Sequence, residues 1–203
     1  MSNYERIKDY LEHYFSEKNI NFQIEISMKE SSYNEQEKKY LYSGSRELQV
    51  ISMDNIAKRG YKVSRNASGR PLNTVDAFLV DKENDWYLIE FKDCKISNKK
   101  DNIEKKGLAN FLMLLDIFLY NETIADEGYN NMFEFARNKV TYILVCSRDK
   151  DPYSYDHIRS CDNSGEKYTP ECLQKFKDYF LKDAYAYTEE YFEQRFVKKF
   201  AYD

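Results

Sequence analysis

The chain has 203 residues, 42% hydrophobic and 33% charged, which is enough for one globular domain with a sizeable core and excludes wholesale disorder. Its net charge of −4 excludes a globally basic nucleic-acid-binding protein, and with only 6 Gly and 3 Pro long regular elements are predicted. The opening Met1-Ser-Asn-Tyr-Glu5 has no basic start and no apolar core, and the longest apolar stretch (108–120) is too short to span a bilayer, so no secretory signal, no membrane partner and a cytoplasmic location are expected.

Ser2-Asn-Tyr-Glu5 reads as a capping box, and Tyr4, Ile7, Leu11, Tyr14 and Phe15 follow it at helical spacing. Phe22, Ile24, Ile26 and Met28 alternate, which predicts a strand. Residues 29–42 are polar and read as a loop or broken helix. A helix is predicted over about 43–59, with Gly60 in a C-terminal cap role, then a short strand at 61–65 and a loop at 66–73. Asp76-Ala-Phe-Leu-Val80 and Trp86-Tyr-Leu-Ile-Glu-Phe-Lys92, joined by the polar turn 81–85, predict a hairpin. Asp101-Asn-Ile-Glu104 reads as the cap of a long helix whose apolar face is Leu108, Phe111, Leu112, Leu115, Phe118 and Leu119. Val140–Cys146 reads as a buried strand, 147–169 as a loop, and about 170–182 and 186–201 as helices. The four cysteines lack Cys-x-x-Cys spacing and there are two histidines, so free thiols are expected rather than a zinc site.

Charge is uneven along the chain. Between Asn55 and Val75 there is no acid but five cations, Lys58, Arg59, Lys62, Arg65 and Arg70, and a second lysine cluster follows at 95–106. Local basic patches hold polyanions even on an acidic protein, because attraction acts within a Debye length of about 8 Å. Three Glu-x-Lys triplets occur, at 37–39, 90–92 and 104–106, but only Glu90-Phe91-Lys92 ends an apolar strand whose hairpin partner carries an acid, Asp76. Glu90 and Lys92 leave the same strand face, while Phe91 points to the opposite one, into the core. A carboxylate after Trp86-Tyr-Leu-Ile89 also needs a partner, since burying an unpaired charge is costly.

With these residues the chain resembles the PD-(D/E)XK nuclease superfamily, most closely resolvase-type and Mrr-like members, over about residues 43–147. Asp76 matches the first acid, Glu90-Phe91-Lys92 the (D/E)-x-K, and Glu47 the acid on the helix before the first strand; Val75 departs from the proline that often precedes the first acid. The resemblance implies an α/β, restriction-endonuclease-like core of order α-β-β-β-α-β, with a mixed central sheet flanked by helices. The whole chain reads as one domain, with extensions at 1–42 (a helix and a strand) and 148–203 (helical). It implies a divalent-metal-dependent nuclease using Mg²⁺ or Mn²⁺, with DNA favoured over RNA as the nucleic-acid partner, and a homodimer able to cut both strands. Asp76, Glu90, Glu47 and the Phe91 carbonyl are then the metal ligands. Lys92 orients the attacking water or stabilises charge on phosphorus, and Lys62, Arg65, Lys105 and Lys106 contact phosphate. The competing readings are an inactive nuclease fold kept as an antitoxin, immunity or assembly protein, and a nucleic-acid-binding protein that does not cut.

Overall fold

The computed structural model describes residues 1–44, 47–93, 95–118, 128–148 and 151–200. It is an α/β arrangement around a mixed six-stranded sheet of order β1-β4-β5-β6-β7-β8. The strands are β1 Glu25–Ser27, β4 Gln49–Ser52, β5 Ala77–Val80, β6 Trp86–Lys92, β7 Val140–Cys146 and β8 Asp183–Thr188. β1, β4, β5 and β6 pair antiparallel, whereas β6, β7 and β8 are parallel. A separate hairpin, β2 Tyr33–Asn34 and β3 Lys39–Tyr40, forms a two-stranded sheet of its own.

Strand alternation divides the core in two. Phe78, Val80, Trp86, Leu88, Tyr142 and Leu144 face one layer, built with α1 (Asn3–Ser16), α3 (53–64), α4 (Lys100–Ile117), α5 (Met132–Lys139), α6 (Pro152–Ser164) and α7 (171–180). Ala77, Leu79, Tyr87, Ile89, Phe91, Ile143, Val145 and Tyr185 face the other, closed by Phe192, Phe196 and Val197 of α8 (189–200) and by Met28 of the single helical turn α2 (Met28–Ser31). Among the described residues no helix is long and apolar enough to cross a membrane, and Cys146, Cys161 and Cys172 are free thiols.

The capping box at Ser2–Glu5, the hairpin and β7 form as read from the sequence. Asp81 fixes the hairpin turn by accepting from the Glu83 and Asp85 N–H groups at 3.0 and 2.9 Å. Several elements differ. The helix expected over 43–59 is β4 followed by α3, because Val50 and Ile51 are buried in the sheet and the helix starts only at its cap, Ser52. The core therefore runs strand, helix, strand, strand, helix, in place of the helix-first order. Residues 61–65, expected as a strand, are the last turn and the C-cap of α3. Gly60 is not a cap: it lies inside that helix, where a Cβ would come within 2.6 Å of Phe22 and 2.8 Å of Phe15.

The long helix starts at Lys100 without a side-chain cap, and its buried face is Ile103, Gly107, Asn110, Phe111, Met113, Leu114 and Ile117. Leu108 and Leu112, expected inside, are exposed, and Leu119 lies outside the described residues. The expected loop at 147–169 contains α6, started by the Asp151 cap with Pro152 at its first position and ended at Gly165 with φ 79°. The C-terminal region is not wholly helical. Asp183–Thr188 alternates small and aromatic residues and forms the edge strand β8 before α8 begins at its cap, Thr188.

Candidate active site

The site forms at the end of the sheet where the parallel strands β6 and β7 reach their C-termini, the end at which α/β sheets bind ligands. β5 enters at that same end. The Asp76 N–H donates to the Ile89 carbonyl at 3.0 Å, and the Phe91 N–H donates to Asp76 Oδ2 at 2.7 Å. The Asp76 carboxylate thus continues the ladder one step past the end of its strand. By strand alternation the Phe91 carbonyl leaves the same edge of β6 as its N–H, toward Asp76. Its ring packs on the opposite face against Tyr42 and Phe192, as the sequence predicts.

Glu90 is fully buried on the face covered by α4. Lys106 of α4 places Nζ 2.8 Å from both Glu90 oxygens and 3.5 Å from Asp76 Oδ1. Lys92 Nζ lies 2.5 Å from Glu90 Oε1 and donates to Asn102 Oδ1 at 3.2 Å. One residue on, α4 packs closely on α7, where a Cβ at Gly107 would come within 2.5 Å of Phe176. The partner demanded by a buried Glu90 is therefore a pair of lysines. Burial first, and then the neighbouring Glu90 charge, push the Asp76 carboxyl well above its ordinary range, against the pull of Lys106, the Phe91 N–H and Lys92. Burial alone would lower the Lys106 ammonium, but Glu90 and then Asp76 more than offset it, so its pKa is raised.

A cleft of about 580 Å³ opens over these groups. Its walls include Tyr33 to Glu37 of the β2–β3 hairpin, Asp54 and Lys58 of α3, Asn73, and Lys99 and Asn102 at the start of α4. The lining holds six carboxylates (Glu35, Glu37, Asp54, Asp76, Glu90, Asp93) against four lysines (Lys58, Lys92, Lys99, Lys106), so an anionic ligand needs additional positive charge there. Asp54 sits in the first turn of α3, 2.5 Å from Lys58 Nζ and accepting from Thr74 Oγ1 at 3.2 Å. Asp93, with a fully buried side chain, pairs with Lys39 of the hairpin at 2.8 Å and ties the cleft wall to the end of β6.

Of the residues singled out from sequence, Asp76, Glu90, Phe91, Lys92 and Lys106 come together. Lys106 engages the carboxylates instead of standing ready for phosphate, and Lys105 is exposed outside the cleft lining. Glu47 does not join them. Ser52 pairs with Ala77 and Ile51 with Phe78 in antiparallel register, so Glu47, before β4, lies toward the 81–85 turn at the opposite end of the hairpin. Lys62 and Arg65 stand on α3 outside the cleft lining, with Arg65 ion-paired to Asp116 and near the Tyr61 ring.

The acid that α3 does deliver is Asp54. Its signal in the sequence is an acid two residues after the Ser52 cap and four before Lys58. Asn102, Asp93 and Lys39 were also missed, and only their tertiary partners single them out.

Among the described residues no group of three or more His, Cys, Asp or Glu side chains is gathered to hold a metal. The donors that converge are all oxygen: two carboxylates and the direction of the Phe91 carbonyl, around a point already taken by the Lys106 ammonium. That set suits a hard cation such as magnesium, which keeps several waters and takes few protein ligands. Comparisons with family models, curated proteins and solved structures found no match.

Proposed function

We propose that this protein is a divalent-metal-dependent nuclease with a restriction-endonuclease-like core, hydrolysing phosphodiester bonds of nucleic acid, DNA before RNA. One observation carries the reading. Two carboxylates from adjacent antiparallel strands converge at a sheet end beside two lysines, one of them two residues after the second acid.

In this reading Asp76 and Glu90 would hold Mg²⁺ or Mn²⁺ with the Phe91 carbonyl. The ion, when bound, supplies charge neutralisation at the phosphate and acidifies a water. The remaining work belongs to the chain. The Phe91 N–H fixes the Asp76 carboxylate by donating to Oδ2, and Asn102 Oδ1 steers Lys92 by accepting from its ammonium. Lys92 orients the attacking water and stabilises negative charge that develops on the phosphoryl oxygens. Lys106 keeps the two carboxylates compact before metal and substrate arrive. Asp54, on the cleft wall, takes the part expected of Glu47, as an outer acid that orders water at the site.

A second reading rests on Lys106: a carboxylate pair already satisfied by lysines suits a nuclease fold kept for interaction alone. Incubation with single- and double-stranded DNA and RNA in Mg²⁺, Mn²⁺ or EDTA separates the two. Metal-dependent cleavage lost in Asp76→Asn is expected. Products that are absent with every substrate, or that persist unchanged in the variant, exclude the nuclease reading.

A further inference from the structure

We infer that the β2–β3 hairpin is a stacking platform for an unpaired nucleotide, so that the strand reaching Asp76 and Glu90 is single-stranded at the point of attack. The inference rests on the nuclease reading and adds its substrate class. Tyr33 and Tyr40 face each other across the hairpin with ring centroids 5.1 Å apart. Both are exposed, at 44% and 45%, as are Phe133, Tyr153 and Tyr179, but these two are neighbours on one hairpin. Tyr33 lines the same cleft as the two carboxylates, and Lys29 Nζ stands 5.0 Å from the Tyr40 ring centroid.

The platform is fixed relative to the chemistry. Lys39 pairs with Asp93, the residue after Lys92. The two feet of the hairpin are tied where the Leu41 N–H donates to the Ser32 carbonyl at 3.1 Å and the Tyr42 N–H to Ser32 Oγ at 3.0 Å.

Charge sets the direction of the strand. Glu35 and Glu37 at the hairpin tip repel phosphate, while Lys99 attracts it at the start of α4; Lys58 on α3 is already paired with Asp54. The backbone therefore runs toward the start of α4 and the bases toward the tyrosines. A base offers its π face to a side chain only when it is unstacked from a duplex, and such stacking is sequence-tolerant. The cleft volume of about 580 Å³ falls in the range of about 300–1,000 Å³ typical of sites for small ligands, which fits nucleotides entering singly.

The test uses Asp76→Asn protein in Mg²⁺, so that strands bind without being cut, and fluorescence anisotropy with labelled oligothymidine, an abasic strand of equal length and charge, and a duplex. Oligothymidine is expected to bind about tenfold or more tighter than the abasic strand, with the duplex also weaker, because base–aromatic stacking contributes about 1–3 kcal/mol per base. Tyr33→Ala in that background should erase the difference and Tyr33→Phe should keep it. The abasic comparison uses an unaltered hairpin, so it does not depend on how Tyr33→Ala folds. Equal affinity for based and abasic strands overturns the platform, as does a difference that survives Tyr33→Ala. If the wild type still cuts in Mg²⁺, such results leave the nuclease reading standing. Failure to bind or cut any strand removes both.

Discussion

Replacing Lys106 by Met tests whether the lysine is the internal cation of the acid pair. Its Nζ lies 2.8 Å from both Glu90 oxygens. One such charge pair is worth about 6 kcal/mol at an effective dielectric of about 20, before desolvation is subtracted. Removing one partner of a buried pair leaves an uncompensated charge and costs about 3–5 kcal/mol net. Lys92 remains as partial compensation, so the lower end applies, and melting near pH 8 should fall by about 10 °C.

The loss should shrink in acid. Asp76 has a folded pKa raised from 3.8 to about 7, so between those values the folded state holds more protons than the unfolded state, and its contribution to stability falls as pH rises. Below about 7 the folded Asp76 is neutral and needs no cation. Differential scanning calorimetry in EDTA from pH 4 to pH 8 measures this. Added Mg²⁺ should then stabilise Lys106→Met more than wild type, since the cation no longer displaces an ammonium. Melting temperatures that coincide with wild type across the pH range would refute the assignment of Lys106 as counter-ion.

Asp54→Asn should lower metal-dependent cleavage by about tenfold or more, as loss of an outer ligand does, while Glu47→Gln leaves it unchanged; single-turnover assays that rank them the other way would return the role to Glu47. Gly60→Ala should destabilise by about 1–3 kcal/mol from overpacking against Phe22 and Phe15, read as a lower urea midpoint. Asp162 is buried, and burial pushes its carboxyl up to about 6 against the pull of the Thr188 N–H and then of Arg195. Its contribution therefore falls as pH rises from about 4 to about 6, so Asp162→Asn should raise stability by about 1 kcal/mol at pH 8 and by nothing at pH 4. A gain of equal size at both values would mean that ionisation is not the cause.

The amino-acid sequence by itself determined the elements whose signals are local. The Ser2–Glu5 box, the 76–92 hairpin and the apolar run of β7 depend on neighbours within a few residues, and alternation along β6 sends Glu90 and Lys92 to one face and Phe91 to the other. The β4–α3 boundary was illegible because 47–59 satisfies a helical pattern and a strand pattern at once, and pairing with β1 and β5 selected the strand for Gln49–Ser52. β8 was hidden similarly, since its aromatic residues also fit helical spacing until pairing with β7 fixes them.

For the candidate site, tertiary structure chose the members that lie far apart in sequence. Lys106 and Lys105 are equivalent lysines locally. Only the packing of α4 over the sheet turns one toward Glu90 and the other to solvent. Glu47 and Asp54 are likewise both acids before β5. The antiparallel register of β4 carries the first to the far end of the hairpin and delivers the second, in the first turn of α3, to the cleft.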